Sequence, residues 1–159
     1  MSKPKKKILI LNYEYPPLGG GGGVAAKEIA KGFIENGYAV DYVTMWFKGL
    51  SKKECLGELT IHRVWVPGRT EVPTASLLCQ ILFPIFSFLK TFQLIRENKY
   101  VFINTHFAVP TGPLGVWVSK LSNLPNILSI HGGDIYDPTK KLSPHQFWPV
   151  KKVVQWVLN

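Results

Sequence analysis

The chain has 159 residues and a mass of 17.9 kDa, the size of one ordinary packed domain. Hydrophobic residues make up 46% of it and charged residues 18%, which supplies a core and excludes a disordered or low-complexity polypeptide. Nineteen basic against ten acidic side chains leave a formal charge of +9. That excess points to an anionic partner: nucleotide phosphate, nucleic acid or an acidic membrane surface.

Residues 1–6 form a basic tail with Lys3, Lys5 and Lys6, and a single domain is expected over residues 7–159. Ile8 to Asn12 is a short apolar run rich in branched side chains, the pattern of a strand buried on both faces. Its apolar part, Ile8 to Leu11, is too short for the core of a signal peptide, so a cytoplasmic chain is expected. A loop with Pro16 and Pro17 leads into five glycines, Gly19 to Gly23. Val24, Ala26, Ile29, Ala30, Phe33 and Ile34 then recur at helical spacing, and Asn36-Gly37 stops the helix. Val40, Tyr42 and Val43 open a second strand. Strand, glycine loop, helix and strand make a βαβ unit and imply a parallel sheet.

The pattern then repeats. Leu59 to Val66 reads as a strand ended by Pro67-Gly68, and residues 75–97 as a long apolar helix interrupted or kinked at Pro84. Tyr100 to Asn104 is a fourth strand, Gly112 to Leu121 a helix and Asn126 to Ile130 a fifth strand. A glycine- and proline-rich loop spans His131 to Pro144, and a last amphipathic helix begins near Phe147. Five strands joined by helical crossovers give an α/β fold with a doubly wound, mainly parallel Rossmann-like sheet. Cys55 and Cys79 stand far apart and read as buried free thiols rather than a disulfide or a zinc site.

The stretch from Ala75 to Leu89 is about 15 residues long and holds Gln80 and Pro84, whereas a membrane-spanning helix needs about 20. It reads as a core helix with one overexposed face, or as a helix seated in a lipid headgroup layer. The lysines at the N-terminus and at Lys140, Lys141, Lys151 and Lys152 are either a solvated surface or a dock for anionic lipids.

Two features carry chemistry. Glycines between a strand and a helix let the backbone approach a ligand and aim N–H groups and the helix dipole at an anion. The alternative is a flexible connection. A nicotinamide-binding fingerprint is disfavoured, because the first matching glycine lies well past the strand and the second strand ends in Thr44-Met45 with no acid for a ribose hydroxyl. A P-loop is excluded, because no Lys-Ser/Thr follows the glycines. The second feature is a pair of strand ends, Asn104-Thr105-His106-Phe107 and His131-Gly132-Gly133-Asp134. Both emerge at the carboxyl edge beside the glycine loop, where doubly wound sheets bind ligands. Each histidine alone reads equally well as structural. His106, His131 and Asp134 lack the spacing of known metal ligands, so no metal is expected.

Tyr15-Pro16-Pro17-Leu18-Gly19-Gly20 before a helix, Glu35-Asn36-Gly37-Tyr38-Ala39-Val40, Thr105 to Gly112 and Ser129 to Asp134 together resemble the retaining glycosyltransferases of family four. The resemblance covers about residues 7–158. It implies the N-terminal half of a two-domain GT-B fold and sugar transfer from a nucleotide-sugar with retention, generally without a metal. The nucleotide-sugar is then a substrate, and no cofactor is implied. Gly19, Gly20, Gly21 and Gly22 would face the donor diphosphate, and His131 would reach the donor sugar, with Gly132 and Gly133 letting the chain pass close. Asp134 would brace that loop, while Thr105 and His106 would line the acceptor side. The resemblance further implies that the departing phosphate assists the incoming hydroxyl.

The family carries its main nucleotide-sugar site, with a pair of glutamates, in a second domain that is not found in these residues. The chain is therefore expected to be an acceptor-side half, whether truncated, proteolysed or a subunit of a split enzyme, and inactive alone. A lipid-linked or envelope-glycan acceptor and a peripheral position on the inner face of a membrane are consistent with the basic and apolar patches. Nucleic acid is disfavoured, since no RNA-binding signature appears. The competing function is a non-catalytic, basic Rossmann-like module that holds a nucleotide or another anion.

Overall fold

The computed structural model describes residues 5–136 and 143–159. Six strands form one sheet in the order β3-β4-β2-β1-β5-β6. At its centre β1 (Lys7–Leu11) pairs in parallel with β2 (Ala39–Met45) on one side and β5 (Tyr100–His106) on the other. β4 (Leu59–Val64) extends the sheet beyond β2, and β6 (Asn126–Ser129) extends it beyond β5, again in parallel.

Strand alternation divides the core into two layers. Ile8 and Ile10 of β1 pack with Val40, Tyr42 and Ile61 against Ala26 and Ala30 of α1 (Gly21–Glu35). Leu9 and Leu11 point the other way. With Val43, Met45 and Ile103 they meet Cys79, Phe83 and Leu94 of α2 (Leu77–Glu97) and Leu114 and Val118 of α3 (Gly112–Ser122). α4 (Trp148–Leu158) closes the described chain and packs beside α3. Helices on both faces of a mostly parallel sheet are the doubly wound α/β architecture that the alternating strand and helix patterns require.

Four expectations are corrected. There are six strands, not five: β3 (Lys53–Leu56) forms an antiparallel hairpin with β4. Its sequence, Lys-Glu-Cys-Leu, lies at the sheet edge and is largely exposed, so it lacks the apolar signature of a buried strand. The two-residue turn with Gly57 at positive φ was the available signal. Cys55 on this strand is exposed, and only Cys79 is buried. The long helix runs through Pro84 without interruption for 21 residues, its start capped by Ser76, whose Oγ accepts from the Cys79 N–H. Finally, the fourth expected strand continues through His106, so Thr105 and His106 belong to β5 rather than to the loop after it.

At the opposite end of the sheet from the glycines, Asp41 gathers Lys7 (3.0 Å), His62 (2.9 Å) and Tyr100 (2.7 Å) into a buried polar cluster. Burial alone would raise the Asp41 pKa, but the hydrogen bonds from His62, Tyr100 and Lys7 outweigh it and hold the carboxyl at about 2. The expectations for residues 1–4, for Lys140 and Lys141 and for the centre of the loop after His131 lie outside the described residues.

Candidate functional site

Chain direction over the sheet reverses between β1 and β5, because α1 carries the chain from β1 toward β2 while β5 is reached by the return crossover through α2. A crevice opens at such a switch point, at the carboxyl ends of the strands. Here it is a cavity of about 960 Å³. One end is polar and built from the loops after β1, β5 and β6: Tyr13, Glu14, Gly20 to Gly22, Phe107, His131, Gly133 and Asp134. The other end is apolar and lies between Ile81, Pro84 and Ile85 of α2, Trp117 of α3, and Val150, Val153 and Trp156 of α4.

The glycine run is less of a loop than its composition suggests, because Gly21, Gly22 and Gly23 already form the first turn of α1. Gly19 donates its N–H to the Val72 carbonyl at 3.1 Å, and Gly20 donates to the Glu14 carboxylate at 3.1 Å. Gly23 and Val24 both donate to the Gly20 carbonyl. The N–H groups of Gly21 and Gly22 are left at the cavity end of the helix, where its dipole favours an anion. At Gly22 a Cβ would lie 2.1 Å from Cζ of Phe107, so only glycine lets the helix start rest on that ring. Gly20 and Gly21 meet no such obstacle.

Phe107 itself has a φ of 71°, a left-handed conformation that a bulky residue rarely adopts. The Phe107 N–H donates to the Ser129 carbonyl, and the ring is held between Tyr13 (4.9 Å between centroids) and His131 (4.4 Å). Burial, and then the neighbouring Glu14, push the Tyr13 hydroxyl far above the usual phenol range, so it stays protonated. These aromatic residues form the floor between the glycine turn and His131.

His131 is half-buried on the cavity wall. Its backbone N–H donates to Oδ1 of Asp134 at 3.0 Å, while Oδ2 of Asp134 accepts from the Ala108 N–H. Asp134 is buried and ties the loop after β6 to the loop after β5. Gly133 lines the cavity; Gly132 lies one step away and makes the turn, its carbonyl accepting from Ile135 and Tyr136. His106 and Thr105 do not reach the cavity wall. Thr105 is buried against Gly115 and donates to Asn126 Oδ1 at 2.7 Å. His106 lies behind His131, fully buried, with Nδ1 at 2.9 Å from His131 Nε2 and Nε2 at 2.9 Å from Asn104 Oδ1. Burial first, and His131 second, lower its pKa to about 4, so the ring is neutral at neutral pH.

At the polar end, Tyr13 and Glu14 were not singled out in the sequence, and Phe107 was quoted there without a role of its own. Each lies just past the end of β1 or β5, and position at the carboxyl edge of a central parallel strand was the signal available. Both carboxylates of the polar end, Glu14 and Asp134, are engaged with backbone N–H groups. Among the described residues no three His, Cys, Asp or Glu side chains gather into a metal-binding group.

At the apolar end, Leu77, Ile81, Ile85 and Leu89 follow one another at four-residue intervals along α2 and stay more than half exposed. The opposite face of the helix carries Cys79, Phe83 and Leu94 into the core, so α2 is a core helix with an overexposed face. Among the described residues it is the one helix long and apolar enough to cross a membrane by length and composition, with a mean hydropathy of 1.6. That length of 21 residues exceeds the expected apolar stretch.

Comparison with known proteins bears on this arrangement. Residues 19–159 match the family described as Glycosyltransferase Family 4. An uncharacterized glycosyltransferase of Methanocaldococcus jannaschii is 26% identical over 130 residues. That alignment takes in 81% of this chain but 32% of the relative, so the chain spans about a third of its length. Two structures of the sucrose-phosphate synthase of Thermosynechococcus elongatus superpose with TM-scores of 0.65 and 0.61, at 11% and 16% identity. Each covers 94% of this chain, which covers 71% and 40% of them; the likeness is one of fold.

Proposed function

Because the chain belongs to glycosyltransferase family 4, we propose that it is the acceptor-side domain of an enzyme that transfers a hexose from a nucleotide-sugar, with retention, to a lipid-linked or envelope-glycan acceptor. The observation that carries this reading is the two-ended cavity, in which His131 and the N–H groups of Gly21 and Gly22 meet at one end and an apolar trough leads away from the other. A departing nucleoside diphosphate gathers negative charge. Oriented N–H donors at a helix start oppose that charge without reorganising, and they do so best where water is excluded. His131, held by Asp134 and packed against the Phe107 ring, supplies a hydrogen bond to the sugar that strengthens as charge develops. The chemistry needs no metal in this reading. The nucleotide-binding wall belongs to a further domain, and the 159 residues alone are expected not to turn over.

The lipid component rests on the apolar trough and on charge. α2, α3 and α4 carry Lys90, Arg96, Lys120, Lys151 and Lys152 against the single acid Glu97, whereas α1 on the other face balances Lys27 and Lys31 with Glu28 and Glu35. A basic, apolar face fits an anionic leaflet, each lysine near the surface contributing about 1 kcal/mol. Co-sedimentation with vesicles containing phosphatidylglycerol tests this. Binding that falls at least tenfold in the Lys151→Glu/Lys152→Glu variant supports it, and equal partition to neutral vesicles refutes it.

The activity is tested in the full-length protein with a panel of nucleotide-sugars and an acceptor extract, with and without a chelator. The expected result is chelator-resistant release of one nucleoside diphosphate, abolished in His131→Ala. No release with any donor would refute transfer and leave an anion-binding module.

A further inference from the structure

Behind His131 runs a chain of polar groups whose direction can be worked out atom by atom. Asn104 and His106 are two residues apart on β5, so their side chains share a face of the sheet. Both are buried. Nδ2 of Asn104 lies 3.0 Å from the carbonyl oxygen of Ile127 and 2.9 Å from Oγ of Ser129, on the neighbouring strand β6. A backbone carbonyl only accepts, so the amide nitrogen must face it; the reverse orientation would press two acceptors together. Oδ1 of Asn104 is therefore turned to His106, where it accepts from Nε2–H at 2.9 Å. A neutral imidazole carries one proton. With that proton on Nε2, Nδ1 of His106 is a bare acceptor, and the nitrogen 2.9 Å away, Nε2 of His131, must donate to it. The ring centroids stand 5.2 Å apart and the two nitrogens 2.9 Å apart, so the bond runs along the line between the rings, as a straight N–H···N bond requires.

We propose that Asn104 and His106 are positioning residues that fix the proton on Nε2 of His131 and so leave Nδ1 as the one His131 nitrogen available to a ligand. The chain begins at a backbone carbonyl, which has no alternative state, and every later group inherits its direction. Nδ1 of His131 then accepts from a sugar hydroxyl when the ring is neutral and donates to a phosphate or hydroxyl oxygen when it is charged. In both states Nε2–H stays pointed inward. The low pKa of His106 agrees with this, since a charged His106 would carry a proton on Nδ1 and oppose the bond. The ligand class follows from the proposed glycosyl transfer, but the proton arrangement is a property of this chain alone.

The experiment is nitrogen-15 NMR of the imidazole groups at pH 8 in the 159-residue chain. Imidazole shifts separate N–H from bare nitrogen, and scalar coupling across the hydrogen bond identifies donor and acceptor. The expected pattern has protons on Nε2 of both rings, with coupling from His131 Nε2–H to His106 Nδ1. A proton on His106 Nδ1 would overturn the proposal. Two variants separate positioning from simple packing, since both lose the Asn104 Nδ2 donors. Asn104→Asp keeps an acceptor for His106 and is expected to keep the pattern; Asn104→Leu removes it and is expected to show both His106 tautomers and no cross-bond coupling. If the two variants behave alike, Asn104 does not set the polarity. Should Asn104→Leu fail to fold, the wild-type pattern still decides, because a proton on His106 Nδ1 there overturns the proposal. Absence of transferase activity in the full-length protein would overturn the proposed function and leave this proton chain standing.

Discussion

His106 gives the most direct quantitative test, because one buried ring carries a pH dependence of stability in a window of its own. Its pKa falls from 6.5 in an unfolded chain to about 4 in the fold. Between those values the unfolded state binds a proton that the native state does not, so stability is fully present above pH 6.5 and is lost as pH falls toward 4. At about 1.4 kcal/mol for each pH unit, the loss across the window is about 3 kcal/mol, a large share of the stability of an ordinary domain. The comparison is His106→Gln, which cannot titrate. Urea unfolding of both proteins at intervals from pH 7.5 to 4 gives two curves, and the titratable groups that do not contact His106 cancel in their difference. The wild type should lose about 3 kcal/mol relative to the variant, most steeply between pH 6 and 4.5. A difference that stays constant within about 0.5 kcal/mol would mean that His106 charges as easily in the fold as outside it, and the buried, neutral ring would be refuted.

Further outcomes follow from the same contacts. Asp41, held at about 2 against an ordinary 3.8, should add about 2 kcal/mol of stability above pH 4 that disappears between pH 4 and 2; the acid limb of the unfolding curve should flatten in Asp41→Asn. Gly22→Ala must displace the Phe107 ring and should cost about 1–3 kcal/mol. Gly21→Ala meets nothing and should be neutral or stabilising by up to about 1 kcal/mol; equal urea midpoints for the two would contradict the close approach at Gly22. Asp134→Ala leaves the Ala108 and His131 N–H groups without their acceptor and should destabilise by about 2–4 kcal/mol, with Asp134→Asn intermediate, as read from thermal unfolding.

Much of this was legible in the residues alone. Short branched apolar runs bounded by turn signals read as strands buried on both faces, and their alternation with helical stripes points to a doubly wound parallel sheet, so β1, β2 and α3 stand where pattern placed them. The hairpin strand β3 was not legible, because an exposed edge strand needs no apolar signature. Nor was the division of labour between the two histidines. Both belong to matching motifs at the same edge of the sheet, and local sequence says nothing about which side of a strand end meets the cavity. β5 runs one turn of the pleat further than expected, carrying His106 into the core, while β6 ends at Ser129 and releases His131 to the wall. The use of Glu14 to cap Gly20 was likewise invisible, since it joins residues six apart through a turn whose shape is set by α1 packing on the sheet. Sequence fixes which surfaces must be buried, through hydrophobic periodicity. Only the packed fold decides which polar groups meet, because those distances depend on where strands end and how closely helices approach.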